Sequence, residues 1–208
     1  MDTKDKIIEK AIALFNERGV NNVTSRHIAD AIGISNGNFC YHFKTKESLL
    51  IAIHERMIDE ISPYYQGISK SNEHSMLVFN RLILFLDQFN DKYLYFSLDL
   101  LEMSRNFPEM QKRIKKTSTR RKDQIEDFFL QFQQDNLMVK NTYRSLKHVV
   151  YSTAANWKYH AKVYDINREL TLKRCLWKII KPHLTKEGKD FYNLNISDIK
   201  ETYLQDNS

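Results

Sequence analysis

The chain has 208 residues, a formal net charge of +6, 12 Phe and 11 Tyr, but only five Gly and three Pro. So few breakers argue against a many-stranded fold, and no apolar run is long enough to span a membrane. The opening MDTKDKIIEK lacks the apolar core of a signal peptide, and two distant cysteines, Cys40 and Cys175, suggest no disulfide framework and fit a reducing cytoplasm.

Ile8, Ile12 and Phe15 recur at helical spacing, with Ile7, Ala11 and Leu14 beside them, and Gly19 is placed to stop this first helix. Thr24 caps a second helix whose apolar face carries Ile28, Ala29 and Ile32, and Gly33 ends it. Ser35 caps a very short third helix. Thr45 caps a fourth, running through KESLLIAIHERMIDEI until Pro63 approaches. The cap at Thr45 reads as weak, because Ser48 stands where an acidic residue often closes the capping box. Beyond it, MLVFNRLILFLDQF is one helix and KYLYFSLDLLEMS another, ending before Pro108. A long helix follows from about Pro108 to Asp135. YRSLKHVVYSTAANWKYHAKVY and RELTLKRCLWKII make two late helices joined by a short loop at Asp165 to Asn167, and Pro182 ends the last. The tail from Thr185, with Phe191, Tyr192, Ile196 and Ile199, can dock as a further piece of unassigned place.

Two helices joined by a tight glycine turn and supported by a preceding helix read as a helix-turn-helix. On a helical wheel of the third helix, Phe39 and Phe43 face inward. The opposite side centres on Gly37 and Tyr41, with Asn38 beside them and Asn36 and His42 flanking. A glycine there lets the helix backbone approach a surface. The Asn38 amide can pair with a base edge in a major groove, and Tyr41 and His42 are donors suited to phosphate oxygens. Lys44 and Lys46 bracket the start of the fourth helix, whose N-terminus itself favours phosphate. Thr24, Ser25 and Arg26 put similar donors at the start of the second. All of these groups could reach one backbone-and-groove surface of double-stranded DNA.

The run FNERGVNNVTSRHIADAIGISNGNFCYHFKTKESLL resembles the DNA-binding domain of TetR/AcrR-type bacterial transcriptional regulators. Phe15, Gly19, Thr24, Ile28, Ala29, Gly33, Ser35, Gly37, Tyr41, His42, Phe43, Lys46 and Leu49 carry the resemblance. The remainder agrees only in being helical and of the right length. The resemblance implies a homodimer with a ligand-binding second domain, usually a repressor, whose last two long helices meet their copies in a four-helix interface. Cys40 departs from it, standing where the family commonly has an aromatic that helps hold the DNA backbone. Residues 1–49 carry seven Lys/Arg against six Asp/Glu, so modest non-specific affinity for DNA is expected. The basic run QKRIKKTSTRRK reads as a solvated helix face.

The seven histidines show no HExxH spacing and no CxxC partner, and no GxGxxG, P-loop or GxSxG is present. No metal site, cofactor or catalytic residue is therefore expected. Cys40 reads as a passive small residue rather than a redox switch. Between Tyr93 and Ser104, Leu94, Leu98 and Leu101 form one apolar face and Phe96, Leu100 and Met103 another. A helix apolar nearly all round should be buried in a bundle. Its Asp99 and Glu102 either reach water or a basic partner, or they line a ligand pocket walled by Tyr95, Phe129 and Trp157. Leu146, Val150, Thr153 and Trp157 on one late helix, with Leu172, Leu176 and Ile179 on the next, form the expected dimer stripe.

The expectation is an all-α regulator with a helix-turn-helix domain at residues 1–47 and an effector and dimerisation domain at residues 48–208. It would be cytoplasmic, and on the nucleoid when bound to DNA. It would bind operator DNA as a homodimer and leave when a small molecule favours the DNA-incompetent state. Two other readings stay open: an architectural or activating DNA binder without a small ligand, and a cytosolic enzyme or binding bundle whose N-terminal motif is coincidental.

Overall fold

A computed structural model describes residues 2–70, 72–164 and 171–197. Among the described residues the regular structure is helical: α1 (Thr3–Arg18), α2 (Ser25–Ala31), α3 (Asn36–His42), α4 (Lys46–Lys70), α5 (Ser75–Lys92), α6 (Leu94–Leu98), α7 (Leu100–Asn106), α8 (Pro108–Gln134), α9 (Tyr143–Val163), α10 (Leu172–Ile180) and α11 (Lys186–Asn195). A 3-10 turn at Lys181–His183 and an isolated bridge between Met138 and Leu184 complete it. The all-α expectation holds. Two compact units make up the chain, Met1–Ile61 with Lys92–Thr117, and Ser62–Asp91 with Ser118–Ser208. This division does not fall at the expected boundary between residues 47 and 48. The first unit keeps the start of α4 and takes in α6, α7 and the first turns of α8.

The first unit is built as its apolar spacing dictates. Ile7, Ile8, Ala11, Ile12, Leu14 and Phe15 bury one broad face of α1. Gly19 closes that helix at φ 78°, its N–H donating to the Phe15 carbonyl at 2.9 Å. Ile28 and Ala29 bury α2, and Phe39 with Phe43 anchors α3. Along α4, Leu49, Leu50, Ile53, Met57 and Ile61 are buried at the spacing of one helix face.

Several expectations change. The fourth helix does not stop at Pro63 but continues to Lys70. A proline removes one ladder hydrogen bond, and here buried Tyr65 and the Tyr64–Phe85 ring stack, 3.8 Å between centroids, lie beyond it to hold the extension. The cap at Thr45 is complete. Ser48 accepts from the Thr45 N–H at 3.2 Å while the Ser48 N–H donates to Thr45 Oγ1 at 3.0 Å, so a hydroxyl does the work expected of a carboxylate. The single helix expected from Tyr93 to Ser104 is two, α6 and α7, meeting at Asp99 with φ −104° and ψ 11°. Nor is that segment buried all round, since Leu101 is 60% exposed.

In the second unit Phe79 is the hub, with Phe128, Phe129, Phe132 and Trp177 rings 5.0 to 5.9 Å away. The tail has a place: Thr185 caps α11, the Phe191 ring stacks on His74, and Ile196 is fully buried. A further correction concerns α9. Leu146, Val150 and Trp157, expected to meet a second copy, are buried within their own unit, as are Leu172 and Leu176 of α10. They face inward because α9 is drawn onto α5, where Lys158 bridges Asp87 and Asp91 and Asn90 donates to the Ala154 carbonyl. The outer face of α9 instead exposes Val149, Tyr159 and Val163. The expected loop at Asp165 to Asn167 lies outside the described residues, as does the chain beyond residue 197.

Candidate DNA-binding site

Local hydrogen bonds shape the α2–α3 pair. Thr24 Oγ1 accepts from the His27 N–H at 3.2 Å and His27 Nδ1 accepts from the Thr24 N–H at 3.3 Å, a reciprocal cap with histidine in the place of the usual acidic residue. The turn takes Gly33 at φ 71°, which a side chain would strain, and returns the Ile34 N–H to the Ala29 carbonyl at 3.1 Å. Ser35 Oγ then accepts from the Asn38 N–H at 3.1 Å to start α3.

Phe39 and Phe43 hold α3 down, their rings 6.1 Å apart. Asn36, Gly37, Asn38, Cys40 and Tyr41 are all exposed, Tyr41 at 84%. His42 is half-buried beside it, edge-on to the Tyr41 ring at 5.2 Å. Gly37 is decisive here. A Cβ built on it would meet nothing closer than Ser35 Oγ at 3.8 Å, and its φ is not in the left-handed region. Nothing inside the protein requires a glycine at the centre of this face. Thr24, Arg26 and Lys44 are exposed and Ser25 half-buried.

Lys46 is placed differently from its expected neighbours. Its ammonium points into the first unit and donates to the Val20 carbonyl, over the Phe15 and Phe107 rings at about 6 Å. Burial lowers its pKa and the charge of Asp99 opposes that drop. The same residue is gripped from the other side, for the Val20 N–H donates to Asp99 Oδ2 at 2.6 Å. Around this clamp lie further polar grips. Asn16 donates to the Lys92 carbonyl and accepts from the Tyr95 N–H, both at 2.9 Å. Asn21 donates to Glu102 Oε2 at 3.1 Å. Glu47 Oε1 accepts from the Glu109 and Met110 N–H groups at 2.8 and 3.2 Å, capping α8.

Of the residues expected to line a ligand pocket, Asp99, Glu102 and Tyr95 therefore belong to the first unit. The two carboxylates hold the chain after α1, and Tyr95 packs its ring 5.3 Å from Phe15. Phe129 and Trp157 belong to the second, Phe129 in the aromatic core around Phe79. Sequence reasoning missed Asn16 and Glu47. The signal for Asn16 was a polar residue beside Phe15 on the buried side of α1; Glu47 looked like an ordinary first-turn acid.

A family described as bacterial regulatory proteins, tetR family, matches residues 7–53, and one described as bacterial transcriptional repressor matches residues 56–192. The chain belongs to the tetR family. The likeness carried by Phe15 through Leu49 is thereby confirmed. Among curated relatives, a probable HTH-type transcriptional regulator YttP of Bacillus subtilis is 37% identical over 73 residues, covering 35% of this chain and 32% of its own. The HTH-type transcriptional repressor KstR2 of Rhodococcus jostii is 34% identical over 80 residues, 38% of this chain and 39% of its own. The chain thus spans well under two thirds of the length of both. A solved TetR-family regulator from Marinobacter aquaeolei superposes with a TM-score of 0.77 at 22% identity, over 93% of this chain and 97% of that one, which establishes the shared fold.

Proposed function

We propose that this tetR-family chain is a DNA-binding repressor that holds operator DNA as a homodimer and releases it when a small molecule binds its second unit. The carrying observation is the outward face of α3, where Gly37 sits between exposed Asn36, Asn38 and Tyr41 without any need inside the fold. A backbone that can approach closely, flanked by amides and a phenol, suits a major groove. Asn38 is the base reader of this reading. Thr24, Ser25, Arg26, Tyr41, His42 and Lys44 are its phosphate contacts. Membership of a family described as transcriptional repressor supports the direction of control.

The homodimer would form through the outer face of α9, where Val149, Tyr159 and Val163 are exposed at the spacing of one stripe. A cavity of about 210 Å³ between Pro63, Tyr64, Val78 and Arg81 offers the effector both rings and a guanidinium. None of the described helices is long and apolar enough to cross a membrane, which fits a regulator working in the cytoplasm on the nucleoid. Selection of duplexes from a random library tests the reading. The protein should enrich a sequence with two related half-sites and bind it more weakly as salt rises. Enrichment of no duplex would refute it.

A further inference from the structure

We infer that Asp99 is a positioning residue for DNA binding: by holding the Val20 N–H from the α6–α7 joint, it sets the angle at which the helix-turn-helix is presented. The inference rests on the DNA-binding reading above. It adds a residue far along the chain, distant in sequence from every group proposed to touch DNA.

Val20 is the pivot by its place in the chain. It follows Gly19, where α1 ends, and leads into the link to Thr24, where α2 is capped. The three helices α1, α2 and α3 are packed on one another, so whatever holds the Val20 backbone holds the helix-turn-helix as a body against the segment that carries Asp99. Both backbone groups of Val20, which belong to the two peptide units flanking its Cα, are held. Asp99 Oδ2 takes its N–H at 2.6 Å, and the Lys46 ammonium at the start of α4 takes its carbonyl. Charge-assisted hydrogen bonds of this kind are short and roughly twice as strong as neutral ones. The surroundings make room for the carboxylate: a Cβ added at Gly19 would come within 3.3 Å of the same oxygen.

The backbone on the other side is shaped to deliver it. At Asp99 the helical hydrogen bonds continue, with the Asp99 N–H on the Tyr95 carbonyl and the Met103 N–H on the Asp99 carbonyl, both at 2.8 Å. Yet φ and ψ leave helical values there, dividing α6 from α7. A second grip lies one helical turn earlier on each partner, where Asn16 bonds to the chain at Lys92 and Tyr95. Two anchors on one segment define an orientation, where one would allow rotation. The segment Lys92–Asn106 is therefore a bracket for the helix-turn-helix. A shift of that bracket would turn α3 without breaking any contact within the helix-turn-helix.

Half-site spacing reads this out, because a dimer discriminates spacing only if each α3 is held at a fixed angle. The probe is a duplex enriched by the wild-type protein from a random library, with companions whose half-sites are moved apart by one base pair and by two. For the wild type, one extra base pair should cost about tenfold, the order of one mismatched pair. Asp99→Leu should lose affinity for the enriched duplex and reduce that tenfold discrimination to about twofold or less. Asp99→Asn, which keeps an oxygen for the Val20 N–H, should restore most of it. Asn16→Ala, an independent cut of the bracket, should act as Asp99→Leu does, with helical signal and melting temperature recorded for every variant. If Asp99→Leu and Asn16→Ala bind more weakly but keep the full spacing discrimination, both grips serve only folding and the inference is overturned. If the wild type enriches no duplex at all, the DNA-binding reading has failed and the inference falls with it.

Discussion

The indole N–H of Trp177 donates to Asn80 Oδ1 at 2.9 Å, joining α10 to α5 inside the second unit with both residues nearly fully buried. Neither group has water to fall back on, so the pair ties two helices at one register. Asn80→Leu would leave the indole N–H unsatisfied at a cost of about 1–3 kcal/mol, whereas removing a surface amide would cost little. Thermal unfolding should show a drop of about 2–4 °C per kcal/mol lost in a chain of this size. An unchanged midpoint would mean the bond does not form.

Lys46 and Arg26 separate two kinds of cation. Arg26 is exposed beside the α2 cap, whereas Lys46 is turned onto the Val20 carbonyl. A cation that meets a phosphate contributes about one unit to the slope of log affinity against log salt. Arg26→Ala should reduce the slope by about that amount. Lys46→Met should weaken binding with the slope intact, because it loosens the clamp rather than removing a phosphate contact. A shallower slope for Lys46→Met would show that Lys46 swings out onto DNA.

Much of this was legible in the sequence because it is local. Caps at Thr24 and Ser35, the glycine stop at Gly19 and the inward pair Phe39 and Phe43 each depend on residues within one turn. What sequence reading could not supply depends on distant partners. Asp99 looked like a ligand contact because its partner, the Val20 N–H, lies 79 residues away. Leu146 and Trp157 looked like an interface because an apolar stripe does not say which neighbour covers it. A backbone N–H carries no sequence signature, so an acid paired with one reads as an acid without a partner.

His74 carries a pH dependence. Its Nδ1 accepts from the Met76 N–H at 3.3 Å at the start of α5, which requires that nitrogen to be unprotonated. Burial lowers its pKa, while Asp135 and Glu187 pull the other way. A histidine whose folded pKa lies below the unfolded value stabilises the fold above the unfolded pKa, near 6.5. That contribution is lost as pH falls through the folded pKa. Chemical denaturation should give lower stability at pH 5 than at pH 7 (about two units apart on the scale where histidine titrates), and His74→Asn should flatten the difference. An equal pH dependence in the variant would remove His74 from the account.

The two faces of α9 can be told apart by substitution. Val149 is exposed and Leu146 is buried. Val149→Glu should split the proposed dimer in sedimentation while leaving the unfolding of the second unit largely unchanged. Leu146→Ala should cost about 2–5 kcal/mol of stability through the cavity it leaves. If Val149→Glu sediments as the wild type does, the outer face of α9 is not the interface.

The central claim is that α3 reads DNA, and Gly37→Leu tests it most directly. A side chain there has open space around it, and leucine suits a helix better than glycine by up to about 1 kcal/mol, so folding should not suffer. The leucine would stand on the outward face, in the space a groove must fill. The measurement is binding of wild type and Gly37→Leu to the enriched duplex and to a scrambled one across a salt series, alongside their melting temperatures. The account predicts loss of specific binding, down to the level of the scrambled duplex, at an equal or higher melting temperature. Wild-type affinity in Gly37→Leu would contradict it, because α3 would then not be the helix that enters the groove.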